Sequence, residues 1–303
     1  MIYTCTFTPS IDYTTYLKDF EAGQLNRAET VYYYPGGKGI NVSRVLTRLE
    51  TGSIALGFAG GFTGEYLNHF LQGEGIRTDF IDTGEITRIN VKIKAKNESE
   101  LNGPGPHLDE RHLKELLQKV DMMKENDWFV LAGSLPASIP AEFYEKLTEA
   151  IRKKGVHFVL DTSGTTLRSL LSKKPFLIKP NIEELGELFH TKISNKEEAI
   201  HYAKKLVEDG TTYVMVSMGG EGAILVDRET TWTAASPEGT AVNTVGAGDS
   251  MVAGFLSSYQ KNMDAEEAFR FAIACGSATA FQTDLCRKED AEELLDRVSV
   301  KIL

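Results

Sequence analysis

The sequence predicts an α/β fold with a central, mostly parallel β-sheet. From residue 109 onward, short apolar runs alternate with helical patterns at the spacing of βαβ units. The chain also opens on a strand pattern at residues 2–8, and Asp12 follows just past it, where open α/β sheets bind ligands. A chain of 303 residues that is 42% hydrophobic can bury a sizeable core around such a sheet.

The first hundred residues contain both core-type strands and strands of another kind. Residues 54–59 and 78–82 are short and apolar, and a helix is predicted at 65–72 between them, after a flexible glycine-rich connection at 60–64. Residues 13–34 are instead rich in tyrosine. We expect them to form strands that lie outside the core sheet and cover another part of the molecule. Residues 86–96 are also strand-like, and within them residues 87–94 alternate strictly between polar and apolar side chains.

The remaining elements follow the βαβ alternation. Strands are predicted at 128–132, 156–161, 176–179 and 212–217, with a hairpin of 222–227 and 230–235. Helices are predicted behind Gly39 and at 109–124, 140–154, 165–172, 195–209, 264–283 and 288–297.

Composition excludes several classes of protein. The net charge of −10 argues against nucleic acid as a partner. No apolar run reaches the length of a membrane span, and the first residues lack a basic leader and a cleavage pattern. The three cysteines form no close pair, which predicts buried thiols in a reducing compartment rather than disulfides or a zinc site. We therefore expect a cytoplasmic protein.

The stretch from Asn243 to Phe255 carries the strongest chemical signal. Gly246 and Gly248 flank an alanine, Asp249 follows at once, and a helical pattern opens behind it. A tight glycine turn at a helix N-terminus suits an anion such as phosphate, because free N–H groups and the helix dipole face it. Asp249 is then either an N-cap or a general base that takes a proton from a hydroxyl.

A second glycine-rich turn spans Pro35 to Val42 and contains Lys38. It is not a Walker A loop, because Gly39 follows the lysine and Tyr32 stands where the first glycine is required. A phosphate or sugar hydroxyls fit against such a turn; a surface turn with a solvated lysine is the alternative.

Four further features each allow two interpretations. Arg88 begins the alternating strand and suits a phosphate, although a charged strand face is also typical of a solvated edge strand. Asn181 and Glu184, three residues apart at a helix start, suit either a water-mediated Mg²⁺ contact or a capping box. Small residues in the helix at 264–283 suit the approach of either a neighbouring helix or a flat nucleotide base. Asp12 suits either a ligand at the sheet edge or the cap of a turn, which is the usual role of a lone aspartate.

Together these motifs resemble the ribokinase-like carbohydrate kinases of the PfkB group, over nearly the whole chain and in the same order. The blocks at residues 6–12, 35–44 and 245–254 are most similar to the phosphosugar branch. This resemblance implies one kinase domain, residues 1–303, with a three-layer α/β/α fold and a small β-sheet lid from residues 12–35 and 86–98. It also implies a homodimer formed through the lid.

The resemblance implies ATP and Mg²⁺ as cofactors and a ketohexose monophosphate as acceptor. Fructose 1-phosphate is expected first, with tagatose 6-phosphate and fructose 6-phosphate as alternatives. A non-catalytic sugar-phosphate sensor is the alternative of another class, and a dinucleotide-binding oxidoreductase is disfavoured because Thr6 to Asp12 contains no glycine.

The implied site has four groups of residues. The catalytic group is Asp249 as general base with the N–H groups of Gly246, Ala247 and Gly248. The sugar group is Asp12, Gly36, Gly37 and Asn41 near the hydroxyls, with Lys38, Arg88, Ser134 and Arg27 near the phosphate. The nucleotide group is Lys179, Asn181, Ser217, Gly219, Gly220, Gly222, Gly248, Ala274, Gly276 and Ser277. The metal group is Asn181 and Glu184, which would contact Mg²⁺ through water.

Overall fold

The computed structural model describes residues 1–136 and 138–303, with the backbone alone at 165 and 166. In this part of the chain the strands are β1 (Ile2–Thr6), β2 (Ser10–Tyr16), β3 (Thr30–Gly36), β4 (Ser53–Ala59), β5 (Arg77–Asp82), β6 (Arg88–Lys94), β7 (Ser99–Asn102), β8 (Trp128–Ala132), β9 (His157–Asp161), β10 (Leu177–Ile178), β11 (Tyr213–Ser217), β12 (Ala223–Val226), β13 (Thr231–Ala234) and β14 (Val300–Ile302). The helices are α1 (Lys38–Arg48), α2 (Gly61–Gly73), α3 (Glu110–Asp121), α4 (Ala141–Lys153), α5 (Gly164–Leu171), α6 (Ile182–Leu188), α7 (Lys196–Glu208), α8 (Ala247–Asn262), α9 (Ala265–Ala280) and α10 (Lys288–Leu295), with a 3-10 turn at Gly219–Glu221.

The large sheet confirms the predicted central, mostly parallel sheet. Its ten strands lie in the order β14-β13-β12-β11-β10-β9-β8-β1-β4-β5. All pairs from β5 to β11 are parallel, whereas β12, β13 and β14 are added antiparallel at one edge. All five residues of β8 are buried, as a central parallel strand with both faces covered requires.

The sheet separates two hydrophobic cores, which gives the three predicted layers. Alternate side chains of a strand point to opposite faces, so Val130 enters one core and Phe129 the other. Helices α1, α8, α9 and α10 pack on the first face and α3 to α7 on the second. Because the strands that pair in parallel end at the same edge of the sheet, the loops after β1, β8, β9 and β10 meet there.

A second, four-stranded sheet lies where the sequence predicts covering strands. Its order is β3-β2-β6-β7, and the paired residues Asp12 and Asn90 place their side chains on one face. Strand β6 is internal, because β2 and β7 pair with its two sides, so its charged face is not that of an edge strand. Strand β7 had no sequence signal.

Two local predictions differ from the structure. The glycines at 60–64 do not form a flexible connection, because α2 begins at Gly61 and Gly60 is its N-cap. A Cβ at Gly61 would lie 2.8 Å from Ile86 Cγ2, so this glycine permits close packing against the segment before β6. Strand β14 was also not predicted, since three residues are too few to show a pattern.

Two other expectations concern cysteines and membranes. Cys5, Cys275 and Cys286 are buried free thiols, in agreement with the prediction. Within the described ranges, none of the helices has the length and apolar character needed to cross a bilayer.

An ion-pair network fixes helix α1 to two other segments. The Arg44 guanidinium, 3% exposed, donates two hydrogen bonds of 2.7 and 2.8 Å to Glu74 at the end of α2. It also contacts Asp284 in the loop before α10, to which Arg48 donates at 2.6 Å. Planar guanidinium groups suit such bidentate contacts. The network therefore sets the position of α1, whose N-terminus carries Lys38 and Asn41.

We predict that Arg44→Ala lowers the free energy of unfolding by about 3 kcal/mol, because it removes a buried cation and leaves Glu74 and Asp284 with Arg48 as their one remaining partner in the network. Denaturant unfolding followed by circular dichroism measures this change. Lys153→Ala, which breaks the exposed Lys153–Glu149 pair on α4, is the matched control and should produce no measurable change. Equal stability of the two variants would contradict the role assigned to the network.

Candidate active site

The first site element is the N-terminus of α1. Its N-cap is Gly37, with φ of 123°, and a Cβ there would lie 2.7 Å from Thr6 Cγ2. Only glycine adopts this conformation readily. The helix therefore begins at Lys38, and both Lys38 and Asn41 line a cavity of about 460 Å³ at the carboxyl edge of the sheet.

The second site element is the N-terminus of α8, which faces the first. Gly246 is the N-cap in the left-handed region, with φ of 82°, so the interpretation of Asp249 as an N-cap is wrong. Asp249 instead stands in the first turn of α8, and its carboxylate accepts a hydrogen bond of 2.8 Å from Asn41 Nδ2. The two glycine-rich motifs of the sequence thus meet in one cavity.

The backbone donors at this turn are not equivalent. The N–H of Ala247 donates to the carbonyl of Thr244 at 3.2 Å, whereas those of Gly248 and Asp249 have no hydrogen-bond partner among the described residues. A Cβ at Gly248 would lie 2.8 Å from Lys179 Nζ, so this glycine lets an ammonium group approach the helix start. Free N–H groups, a helix dipole and a cation together form an anion-binding turn.

Asp249 is a buried carboxyl with a raised pKa. It is 5% exposed, and burial raises its pKa to about 6, with a further increase from the negative charge of Asp161. The hydrogen bond from Asn41 and the charges of Lys38 and Lys179 act in the opposite direction. Asp249 therefore loses its proton just below neutral pH, as an efficient general base requires.

Asp161 was not predicted as a site residue. It ends β9, its side chain is fully buried, and its Oδ1 lies 3.0 Å from Lys38 Nζ and 3.4 Å from Lys179 Nζ. Burial opposes ionisation, but these two lysines hold the pKa of Asp161 below its usual value. The sequence did contain a signal for Asp161, because it is an acid at the end of the predicted strand 156–161, where open α/β sheets bind ligands.

Lys38 is held by carboxylates on more than one side. Besides Asp161, the Oε1 atom of Glu184 lies 3.8 Å from its ammonium group. Burial disfavours the charge on Lys38, but Asp161, Glu184 and Asp249 outweigh burial and raise its pKa. Lys38 therefore stays protonated throughout the working pH range.

The second sheet contributes the other wall of the cavity. Asp12 accepts hydrogen bonds from Ser10 at 2.7 Å and Asn90 at 3.2 Å, and pairs with Lys92 at 2.8 Å. Asn90 and Lys92 lie on the same strand face as Arg88. The alternation in the sequence that placed Arg88 in the site therefore also indicated these two residues. Only Arg88 had been assigned a role.

Arg88 differs from Lys38 in its partners. Its guanidinium donates to the carbonyls of Thr8 at 3.0 Å and Gly103 at 3.3 Å, and its buried Nε has no hydrogen-bond partner. Among the described residues it forms no ion pair with a carboxylate. Arg88 therefore presents a guanidinium without a direct carboxylate contact to the cavity, where Ser134 is also exposed.

Asn181 and Glu184 form a reciprocal capping box at the start of α6, at 2.7 and 2.9 Å. The box occupies Asn181 Oδ1 and Glu184 Oε2, whereas Glu184 Oε1 lies 3.8 Å from Lys38 Nζ, and both residues line the cavity. Over residues 1–136 and 138–303, no three acidic, His or Cys side chains gather as direct metal ligands. These residues fit Mg²⁺, which keeps several waters and binds through one or two carboxylates and substrate phosphates.

A second cavity of about 510 Å³ adjoins the first and shares Asn181, Ser217 and Gly248 with it. It also contains Gly219, Gly220, Gly222, Gly276 and Ser277, together with apolar Met251, Ile273 and Phe281. A Cβ at Gly276 would lie 2.5 Å from Met251 Cγ, so this glycine also permits close packing of α9 on α8. The cavity offers an apolar slot beside a polar, glycine-rich rim, which suits a nucleotide.

Three of the predicted residues line neither cavity. Arg27 is exposed in the connection between β2 and β3. Gly36 lies behind the cavity, because a Cβ there would overlap Asp12 and Ser10 at 2.3 Å. Ala274 is fully buried in the α8–α9 core. The other predicted residues line one or both cavities, and Ala247, which was predicted in the catalytic group, lines only the second.

Comparison with known proteins identifies the class to which this fold and site belong. The family model described as pfkB family carbohydrate kinase matches residues 6–291. The chain therefore belongs to the pfkB family of carbohydrate kinases, and its fold is the ribokinase-like α/β fold that the motifs resembled. Kinases of this family use ATP with Mg²⁺ as a general property.

Individual relatives cover almost the whole chain. The 1-phosphofructokinase of Bacillus subtilis (strain 168) is 49% identical over 300 residues, which are 99% of this chain and 99% of that one. Among solved structures, a phosphofructokinase described as putative from Staphylococcus aureus has 43% identity and a TM-score of 0.89, covering 100% and 99% of the two chains. The tetrameric inhibited form of phosphofructokinase-2 from Escherichia coli has 31% identity and a TM-score of 0.91, covering 97% and 98%.

Proposed function

We propose that this protein transfers the γ-phosphoryl group of ATP to a hydroxyl group of fructose 1-phosphate. The Asn41–Asp249 contact carries this proposal, because it holds a buried carboxylate with a pKa of about 6 beside the anion-binding turn of α8. The full-length similarity to the 1-phosphofructokinase of Bacillus subtilis supports the acceptor. A phosphoryl transfer requires mainly positioning and charge neutralisation, and this site supplies both.

The sugar phosphate would bind under the second sheet, which we assign as the lid (β2, β3, β6 and β7). The carboxylate of Asp12 is held in place by Ser10, Asn90 and Lys92. It is thereby oriented to accept hydrogen bonds from the hydroxyl groups of the sugar. Arg88, which has only carbonyl partners, would bind the phosphate already on the sugar. In fructose 1-phosphate, the C6 hydroxyl would then lie near Asp249 and give up its proton to that carboxylate.

ATP would lie across the second cavity, with its base beside Gly276 and Phe281 and its phosphates toward Gly248. Lys179, in contact with Gly248, would neutralise charge on the transferred group, as would the N–H groups of Gly248 and Asp249. Mg²⁺, held through water by Asn181 and Glu184, would supply further charge neutralisation on the ATP phosphates. The substrate hydroxyl attacks the γ-phosphorus, ADP leaves, and the proton stays on Asp249 until product release.

Steady-state kinetics with ATP and three sugars test the proposal. We expect the highest kcat/KM for fructose 1-phosphate, compared with fructose 6-phosphate and tagatose 6-phosphate at the same Mg²⁺ concentration. A higher value for either 6-phosphate would contradict the proposed acceptor. No ATP turnover with any of the three would instead favour a non-catalytic sugar-phosphate sensor.

Removal of the proposed base should abolish most of the activity. We expect Asp249→Asn to lower kcat by about two to four orders of magnitude. In the wild-type protein, kcat/KM should rise with pH through about 6, because only ionised Asp249 accepts a proton. A near-normal kcat, or a pH profile that is flat from 5 to 8, would contradict this role.

The stability of the Asp249→Asn variant separates lost catalysis from lost folding. The pKa of Asp249 is higher in the folded state than the value of about 3.9 expected on unfolding. Ionisation of Asp249 therefore destabilises the folded state as the pH rises through about 6. The variant should accordingly be at least as stable as the wild type at pH 8, which thermal unfolding can measure.

Loss of Arg88 should affect binding rather than turnover. We expect Arg88→Ala to raise KM for the sugar phosphate about ten- to hundredfold with little change in kcat, since a charged hydrogen bond to a bound phosphate is lost. Lys94→Ala is the matched control, because Lys94 lies on the same strand face but pairs with Glu98 outside the cavity. An unchanged KM in Arg88→Ala would exclude Arg88 as the phosphate ligand.

We also propose that the lid forms a homodimer. Both of its faces expose apolar side chains: Tyr16 and Tyr32 on the face of Asp12, and Val31, Tyr33, Ile89 and Leu101 on the other, with Phe20 and Leu25 in the connection between β2 and β3. Exposed apolar surface of this extent is typical of protein interfaces. The tetrameric form of phosphofructokinase-2 from Escherichia coli supports self-association in this fold.

Sedimentation velocity tests the homodimer. The wild-type chain, of 33.5 kDa, should sediment as a dimer, and Tyr32→Glu should shift it toward the monomer, because a charge would be buried at the interface. The control is Met122→Glu, which places the same charge on an exposed residue after α3. A monomeric wild type, or a Tyr32→Glu variant that stays dimeric, would contradict the interface.

A further inference from the structure

The buried aspartate at the end of β9 has no part in the mechanism described above. Asp161 pairs in register with Ala132 of β8, and its carbonyl accepts a hydrogen bond of 2.9 Å from the N–H of Gly133. Its backbone is therefore fixed at the carboxyl edge of the large sheet, under the floor of the first cavity. Its side chain is fully buried there.

The carboxylate of Asp161 joins two lysines that come from different halves of the site. Lys38 is the first residue of α1, on the sugar side, whereas Lys179 follows β10 and lies against Gly248 at the start of α8, where the nucleotide phosphates are proposed. Both ammonium groups contact the same oxygen, Oδ1, at 3.0 and 3.4 Å. Without this shared partner, two like charges at such a short separation would repel each other.

The other oxygen of Asp161 has no compensating contact. Among the described residues, Oδ2 is buried without a hydrogen-bond partner. A buried charge with one oxygen unsatisfied costs stability, and such groups are found where function requires them. Stability of the fold therefore does not by itself account for Asp161.

We propose that Asp161 is a positioning residue for phosphoryl transfer, which holds the ammonium groups of Lys38 and Lys179 on the two sides of the transfer path. Lys179 lies against Gly248 at the anion-binding turn, and Lys38 lies between Asp161 and Glu184. Asp161 thus fixes the distance between the sugar-side and nucleotide-side cations. This inference rests on the proposed kinase function.

Asp161 also affects the proton acceptor. The charged and polar groups that face Asp249 are Asp161 from β9, Lys38 and Asn41 from α1, and Lys179 after β10. Of these, Asp161 alone raises the pKa of Asp249, and the other three lower it. Neutralising Asp161 should therefore lower that pKa, so that the acid limb of the pH–rate profile moves to lower pH.

The experiment compares Asp161→Asn with the wild type in ATP and sugar-phosphate kinetics from pH 4.5 to 8. We expect kcat to fall about a hundredfold, because both cations are misplaced, and the acid limb to move to lower pH. Asp127→Asn is the matched control: Asp127 is also buried and paired with a cation, the N-terminus at 2.7 Å, but lies outside both cavities. It should lower the thermal midpoint and leave kcat and the acid limb unchanged.

A double-mutant cycle tests whether Asp161 acts through the lysines. Lys38→Met combined with Asp161→Asn should lose less activity than the sum of the two single losses, since both changes disrupt one unit. If Asp161→Asn does not fold, the smaller neutral variant Asp161→Ser provides the same measurements.

The outcomes separate this inference from the proposed function. An active wild type whose Asp161→Asn variant keeps its kcat, or keeps its acid limb in place, would overturn the positioning role alone. Additive losses in the cycle would also overturn it. An inactive wild type would contradict the proposed function, whatever the variants show.

Discussion

The hydrogen bond between Asn41 and Asp249, two residues 208 positions apart in the chain, joins the N-termini of two helices. Each terminus begins at a glycine with positive φ, Gly37 for α1 and Gly246 for α8, so neither turn forms readily with another residue. The ion-pair network of Arg44 fixes α1, and Leu285 packs against Gly246 below α8. These two sets of contacts thus hold the Asn41 amide against the Asp249 carboxylate.

In the site, each charged group shifts the pKa of its neighbours, and these shifts partly cancel. Burial and Asp161 raise the pKa of Asp249, whereas Asn41 and the two lysines lower it, and the outcome of about 6 suits a base that works at neutral pH. Asp161 in turn stays ionised only because Lys38 and Lys179 contact it. The site therefore carries cations for a phosphoryl group in a protein whose net charge is −10.

The sequence predicted most of the architecture, because glycine turns and apolar periodicity are local signals. It predicted the helical pattern behind Asp249 that forms α8, and it left open whether Asn181 and Glu184 form a capping box, which they do. It missed Asp161, whose importance depends on two lysines that only the folded sheet brings together. It also gave no means of seeing that Lys38 is held by carboxylates while Arg88 has only carbonyl partners, since such pairings are long-range.

The most direct test is an NMR titration of the Asp249 carboxyl carbon in protein labelled with ¹³C-aspartate. The resonance of Asp249 is assigned as the one that is absent from the spectrum of Asp249→Asn. The account predicts a midpoint of about 6 in the wild type and a higher midpoint in Asn41→Leu, which removes a hydrogen bond to the ionised form. A wild-type midpoint near the ordinary value of about 3.9, or one that is unchanged in Asn41→Leu, would contradict it.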